Sequence, residues 1–369
     1  MYIRNAHLKL PSSGWALTIV TGLQIIYQSK TGSIMTTVGI ERKQRGFTLV
    51  ELLIALALGI VVLTVIYSTF TSQQDSYSMQ SQVTMTQQNL RAALYMVTRD
   101  IQMTGYYTNL VHSDYRSDWD NNQTTADVSI RPLLYFVNDV PENFFPEPGI
   151  KVKGHTDIIV IIKAGDKHRE LDPGESATAG DSLTADLNLI TRDLDGDGDE
   201  DLNYYSGAGH SKYGLLVKKD LSRAEVFEVD SSNNFIFHSG LDENYEEGDS
   251  IHKLDVIMYV IENNDPAHPI LCRRNIGTDN TYTEIAEDID NMQFEFILND
   301  GTTVNNLNAN QIPLVRGVKT YLIARSGKEI KGYTDPNSYE MGTTGSYRPA
   351  DGYVRRLLSA ITKTRNLGQ

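Results

Sequence analysis

The sequence is poor in cysteine and in positive charge. Its 369 residues include a single cysteine, Cys272, so no disulfide can form within the chain. Lysine and arginine number 33 against 47 aspartates and glutamates, which gives a formal net charge of -14. Phosphate binding needs a basic surface, so this balance argues against nucleic-acid binding by the bulk protein. No nucleic-acid partner is directly indicated.

The common catalytic motifs are also missing. The chain contains no G-x-S-x-G, H-E-x-x-H, phosphate-loop or C-x-x-C pattern, and its eight histidines are scattered. Cys272 lies in the stretch PILCRRNI, where a buried strand residue is expected rather than a nucleophile. We therefore predict that the chain is not an enzyme.

What the sequence does contain is one long uncharged run. Residues 47–67 carry a single carboxylate, Glu51, and no proline. A helix of this length is about 30 Å long, enough to cross a bilayer. The basic stretch ERKQRG precedes the run, and no lysine or arginine follows it before Arg91. This asymmetry predicts a single inner-membrane span with a periplasmic C-terminal domain.

The carboxylate of Glu51 needs an explanation, because a charge inside hydrocarbon is costly and is by default a candidate functional group. A cleaved signal peptide fits poorly, since the apolar run is too long and no small-x-small site closes it. A plain signal anchor explains the length and the flanking charges but not the carboxylate. A further alternative is that Glu51 reaches the headgroups, because it lies only five residues into the span.

The residues RG followed by FTLVELLIALALG resemble the class III signal of type IV prepilins. The resemblance implies that a prepilin peptidase cuts between Gly46 and Phe47 and N-methylates Phe47. It also implies that Glu51, at the fifth mature position, pairs with the positively charged N-terminus of a neighbouring subunit. Such pairing fits the physics, because a buried carboxylate is tolerated when a cation offsets its lost hydration.

This resemblance divides the chain into a leader, a helix and a head. Residues 1–46 would be the leader, of which we interpret 1–34 as an upstream start-site artefact. Residues 47–105 would be the N-terminal helix, whose first half spans the membrane. Residues 106–369 would form a β-rich periplasmic head, with a loop-rich insertion expected at about 108–215.

An amphipathic pattern follows the span. Apolar residues recur there at helical spacing, at Met79, Val83, Leu90, Leu94, Val97 and Ile101. Gly105 is the expected end of the helix. Arg91, Arg99 and Asp100 fall on the polar side, where we interpret them as solvated charges or local ion pairs of little energetic weight.

Nine segments of the head are rich in β-branched and aromatic residues or alternate in polarity. Two hairpins are predicted, one joining Val226–Val229 to Phe235–His238 and one joining Val256–Glu262 to Ile270–Arg274. The fold class predicted is therefore α+β and pilin-like, a long N-terminal helix packed on an antiparallel β-sheet domain. The nine predicted strands are 157–164, 214–220, 224–230, 234–239, 254–262, 269–275, 292–300, 318–326 and 355–366.

The order of motifs along the end of the helix and the head resembles that of PilW-type minor pilins. Five segments follow one another as in that family: QNLRAALYMVTRDIQMTGYY, MYVIENNDPAHPILCRRN, EDIDNMQFEF, LVRGVKTYLIARS and YVRRLLSAITKTRN. The resemblance implies a structural subunit that primes pilus assembly and then enters the pilus, serving motility, adhesion or DNA uptake. Its partners would be other minor pilins, the major pilin, the prepilin peptidase and a tip adhesin.

Two other functions stay open at this point. GspJ-type pseudopilins of type II secretion share this layout, although they are usually much shorter than this chain. A membrane-anchored calcium-binding adhesin that never assembles is the other alternative, and it predicts that Glu51→Ala changes nothing.

An acidic stretch, TRDLDGDGDEDLNYY, is the second local signal. Its alternating carboxylates and central glycine follow the D-x-D-x-D-G start of an EF-hand-like calcium loop. The twelfth position is Tyr204 rather than glutamate, so a complete EF-hand is not expected, and a solvated acidic turn is the alternative. We predict calcium as a cofactor that rigidifies a loop in a head without disulfides, held by Asp193, Asp195, Asp197, Asp199 and Asp201.

Overall fold

The structure is a computed structural model. It describes residues 46–111, 134–142, 150–171, 213–229 and 243–368, except for 277, 280, 309, 331 and 343–344, together with 173–174, 176, 235–236 and 241. The chain consists of two units, one that ends at Thr71 and one that begins at Ser72.

Helix α1, Leu49–Gln102, contains the predicted span in its first part and the amphipathic pattern in its last part. Gly105, just beyond the helix, has φ 76°, a left-handed conformation that glycine adopts without strain and that terminates helices. Compared with the helix predicted at 47–105, α1 begins two residues later and ends three residues earlier.

The helix buries one stripe against the sheets of the second unit: Thr86, Leu90, Ala93, Leu94, Val97 and Ile101. The predicted stripe is right from Leu90 onwards and wrong at its start, because Met79 is 41% exposed and Val83 is only partly buried. Burial begins at Thr86, whose hydroxyl donates to the carbonyl oxygen of Arg325 at 3.2 Å. Helical spacing alone does not show where along a helix the sheet begins.

The described head contains fourteen strands, all paired antiparallel. They are β1 Leu134–Val137, β2 Ile158–Glu170, β3 Tyr213–Val217, β4 Ala224–Val229, β5 Phe235–Ile236, β6 Ser250–Glu262, β7 Ile270–Asn275, β8 Thr283–Glu287, β9 Ile289–Leu298, β10 Thr303–Val304, β11 Val315–Arg325, β12 Tyr339–Glu340, β13 Ser346–Tyr347 and β14 Arg355–Lys363.

Strand β6 is the centre of the larger sheet. One of its edges pairs with β2, while the other pairs with β3 near its start and with β7 near its end. Outside these lie β1 beside β2, β4 and β5 beyond β3, and β8 beside β7. The second sheet has the order β10-β9-β11-β14, and β12 pairs with β13 separately.

Both faces of the larger sheet are buried, which explains why β6 is apolar on successive residues. Ile257, Tyr259 and Ile261 face a core that includes the helix stripe and the second sheet. The residues between them, Met258 and Val260 among others, face a second core formed with β2, β3 and β4. Alternate residues of a strand point to opposite faces, so one strand supplies both cores.

Each of the nine predicted strands overlaps an observed one, and both predicted hairpins are confirmed. Val229 pairs with Phe235 in the first hairpin, and Val260 pairs with Cys272 in the second. The predicted strands do not include β1 and β8 or the two-residue strands β10, β12 and β13. Much of the predicted insertion at about 108–215 lies outside the described residues, and its described part supplies β1 and β2.

Candidate functional site

The first unit presents an unbroken apolar surface. Large apolar side chains from Phe47, which is 88% exposed, to Phe70 all face outwards. A stretch of 18 residues within α1 is long and apolar enough to cross a membrane, and none of it is buried. A contiguous apolar surface of this size is unfavourable in water, so it needs hydrocarbon or other protein around it.

Glu51 closes a reciprocal capping box with Thr48 at the start of α1. The Thr48 backbone N–H and hydroxyl donate to Glu51 Oε2 at 2.9 and 3.0 Å, and the Glu51 backbone N–H donates to Thr48 Oγ1 at 3.2 Å. The box satisfies donors that a helix start leaves unpaired, and the negative charge suits that end of the helix. The T-x-x-E spacing could have revealed this local role, which the sequence analysis missed.

The capping box leaves half of the Glu51 carboxylate available. Its side-chain bonds all use Oε2, and within the described residues Oε1 accepts no hydrogen bond. One carboxylate can therefore cap its own helix and accept a bond from a cationic neighbour at the same time. Capping and pairing are compatible explanations of Glu51.

The bond between Gly46 and Phe47 lies before the first helical residue. Both residues are exposed and non-helical, and no heavy atom lies within 4 Å of the position that a Cβ on Gly46 would take. Exposed segments outside regular structure are where proteases cut most readily.

In the second unit, Asp100 joins α1 to the larger sheet. Its Oδ2 accepts bonds from Tyr259 Oη at 2.6 Å and from Arg273 Nε at 3.0 Å. Burial alone would lower the pKa of Arg273, but the bond to Asp100 outweighs it and raises that pKa. The interpretation of Asp100 as a solvated or locally paired charge is therefore wrong, whereas Arg91 and Arg99 are exposed as expected.

We expect Asp100→Asn to lower the free energy of unfolding of the head by about 2 kcal/mol, because it removes a charged partner from the buried Tyr259 and the partly buried Arg273. Arg99→Gln, on the exposed neighbouring position, is the matched control and should change it by less than about 0.5 kcal/mol. Urea unfolding of the full-length protein in detergent measures both. Equal effects of the two substitutions would contradict the anchoring role.

A second cluster of charges is buried where β9, β11 and β14 meet. Asp290 bonds Lys153 and accepts from Arg355 Nε at 2.6 Å and from Tyr347 Oη at 2.9 Å. Asp290 and Arg355 are each about 1% exposed. Burial alone would raise the pKa of Asp290, but Lys153 and Arg355 outweigh it and lower that pKa to about 2.

Arg355 also binds the segment between β11 and β14. Its guanidinium binds both oxygens of Asp351, and Asp335 lies 3.6 Å away. Tyr339, in the same segment, donates to Asp335 at 2.9 Å. The cluster therefore holds a loop of about 30 residues onto the second sheet without a disulfide.

The remaining predicted residues have different outcomes. Cys272 is buried in β7 as predicted; burial raises the pKa of its thiol, which contacts Glu262 Oε2 at 3.4 Å. The five acidic-loop residues at 193–201 lie outside the described residues, so the calcium site stays a prediction. Within the described part of the chain, no cluster of three or more His, Cys, Asp and Glu side chains is placed to hold a metal.

Comparison with known proteins gives two family matches. Residues 42–67 match the prokaryotic N-terminal methylation motif, and residues 258–366 match PilW, the type IV pilus-assembly protein W family. No curated protein matches the chain.

Among solved structures, a type IV-like pilin from Thermus thermophilus is similar at 16% sequence identity. The match covers 44% of this chain and 90% of that one, with a TM-score of 0.20, and a likeness of this size carries no weight. The two family matches carry the comparison. The methylation motif encloses the capping box and the apolar run, while the PilW match extends from β6 to just beyond β14. Together the two matches support a PilW-type, prepilin-like minor pilin of a type IV pilus.

Proposed function

We propose that this minor pilin is processed at Gly46–Phe47 and then helps to prime pilus assembly in the inner membrane. The observation that carries the proposal is the start of α1, where one carboxylate opens the apolar, exposed first part of the helix. In a bundle of such helices, the Glu51 carboxylate is the one available partner for the N-terminal amine created by cleavage within residues 47–67. The attraction gains strength as water is excluded.

The orientation proposed places the head in the periplasm. The basic residues of ERKQRG stay in the cytoplasm, where the prepilin peptidase would cut, and the 44 positions from 47 to 90 carry no lysine or arginine to oppose export. Once in the pilus the head would be extracellular. The protein is then a substrate of the peptidase and does no catalysis itself.

Within the pilus we place the protein at the tip, with other minor pilins beneath it or beside it, next to the major pilin and in reach of a tip adhesin. A subunit that primes assembly is the first to leave the membrane, which is why a primer ends up at the tip. Deleting the gene should reduce surface pili, and an epitope added to the head should label filament ends. Label spread along the shafts would contradict the tip position, and unchanged piliation would contradict priming.

We also propose that the acidic loop at 193–201 binds calcium. Alternate carboxylates can turn inward together around a hard cation, and without one they repel each other. Calorimetry of the full-length protein in detergent should show one calcium bound, and Asp195→Asn with Asp197→Asn should weaken the binding at least tenfold. Asp118→Asn with Asp120→Asn, elsewhere in the acidic chain, serves as the control. No heat of binding in the unaltered protein would remove the calcium proposal and leave the pilin function untouched.

A further inference from the structure

Strand β14 forms one edge of the second sheet. Its inner edge pairs with β11 over all nine residues, without a register shift. Within the described part of the chain, no strand pairs with its outer edge. The outermost strands β1, β5, β8 and β10 are shorter, with four, two, five and two residues. Native proteins usually shield an edge by shortness, proline, a bulge or charged side chains, and of these β14 has only the charges of Arg356 and Lys363.

The register shows which backbone groups are free. The Ser326 N–H donates to the Val354 oxygen at 2.8 Å, and the Thr364 N–H donates to the Arg316 oxygen at 3.1 Å. Both pairs continue the β11–β14 ladder, and hydrogen-bonded pairs alternate along an antiparallel ladder. The backbone groups that point towards β11 therefore belong to Arg356, Leu358, Ala360 and Thr362. The groups that point outwards belong to Leu357, Ser359, Ile361 and Lys363.

The edge strand carries exposed apolar and basic side chains. Ile361, one of the residues whose backbone groups point outwards, has a side chain that is 67% exposed. Arg356 and Lys363 are exposed near the two ends of β14, and neither forms an ion pair within the described residues. In a chain of net charge -14 such a basic edge favours an acidic partner.

The same charges disfavour a second copy of this chain. Two β14 strands that paired antiparallel through their outer edges would bring Arg356 and Lys363 of both chains into one interface. Juxtaposed like charges weaken an interface. The edge therefore fits an acidic strand better than it fits a second copy.

We propose that the outer edge of β14 docks an extended, acidic strand of another pilus subunit by strand addition. The backbone groups of Leu357, Ser359, Ile361 and Lys363 supply the hydrogen bonds, while Arg356 and Lys363 select acidic side chains. The inference rests on the proposed function only in that it takes the partner from the assembled pilus machinery.

Photo-cross-linking in piliated cells tests the proposal. A photoreactive amino acid replaces Ile361 in the full-length protein, with Leu221, an exposed residue in the turn between β3 and β4, as the control position. Mass spectrometry then identifies the residue reached. We expect Ile361 to reach an acidic, extended segment of one other pilus protein, and Leu221 not to reach it.

Two variants sharpen the result. Ser359→Pro removes an outward N–H without breaking a bond to β11, so it should abolish the cross-link while the melting curve stays unchanged. Arg356→Glu with Lys363→Glu should weaken the cross-link about tenfold. Cross-linking only to a second copy, no cross-link at all, or a yield that neither variant changes would each overturn the proposal. If the chain in these cells is cleaved at Gly46–Phe47 and present in pili, such a result contradicts the docking inference alone. If the chain is uncleaved and absent from pili, the proposed function is contradicted as well.

Discussion

Glu51→Gln is expected to remove the protein from pili while leaving it in the membrane. Glutamine keeps the capping geometry, because an amide oxygen accepts the same bonds from Thr48 that Glu51 Oε2 accepts. It removes the negative charge, however, and with it the partner of a neighbouring N-terminal amine. We expect at least a tenfold loss from sheared filaments, measured by immunoblot against the membrane fraction.

Thr48→Ala is the matched control, since it weakens the cap and keeps the charge. An N-cap of this kind is worth about 1 kcal/mol of helix stability, which a long helix in a membrane should tolerate. Incorporation close to that of the unaltered protein is therefore expected. If Thr48→Ala failed to assemble while Glu51→Gln assembled normally, Glu51 would be a capping residue and not an assembly residue.

Arg355→Met is expected to destabilise the head by about 3–5 kcal/mol. The substitution leaves Asp351 and Asp335 without their main cation and takes one of the cations from Asp290. Breaking a buried ion pair by removing one partner leaves an uncompensated charge, which is the costly case. Urea unfolding of the full-length protein in detergent, followed by tyrosine fluorescence, measures the loss.

Arg356→Met is the control for this prediction, because Arg356 is exposed and adjacent. It should change the free energy of unfolding by less than about 1 kcal/mol. A loss below about 1 kcal/mol in Arg355→Met would show that the buried cluster is not what holds the segment between β11 and β14.

The stability of the head should depend on pH through the buried cluster around Asp290. The folded pKa of Asp290, about 2, lies below the ordinary aspartate value of 3.8. Its contribution to stability is therefore present above about pH 4 and is lost as the pH falls towards 2. In Arg355→Met, the pKa of Asp290 should move back up towards 3.8, so the acid-induced loss of stability should become smaller and should be complete at a higher pH.

The sequence predicted best what local pattern determines. The apolar run, the isolated carboxylate and the strands rich in β-branched residues were all visible, and the structure has the helix and the nine strands at those places. The T-x-x-E spacing at Thr48 and Glu51 is also a local pattern and is typical of a capping box.

Contacts between segments far apart in the sequence could not be predicted from local pattern. Asp100 belongs to a helix whose polar side looks solvated, and its partner Arg273 lies 173 positions away. Asp290 and Arg355 lie 65 positions apart, and only the pairing of β9 with β11 and of β11 with β14 brings them together. Charge type and local spacing give no sign of such pairs, because the fold decides which charges are buried together.

Short strands were missed for a related reason. Strand β8 is TEIAE, four of whose five residues are partly or fully exposed, and among the described strands it pairs with β7 alone. A strand that buries one side chain has too little apolar pattern to stand out from a loop.

The most direct test of the account is mass spectrometry of the N-terminal peptide from cells with and without their prepilin peptidase. We expect a peptide that begins at N-methylated Phe47 in the parent strain and is absent from the peptidase mutant. A chain that keeps Gly46 joined to Phe47 in both strains would contradict it.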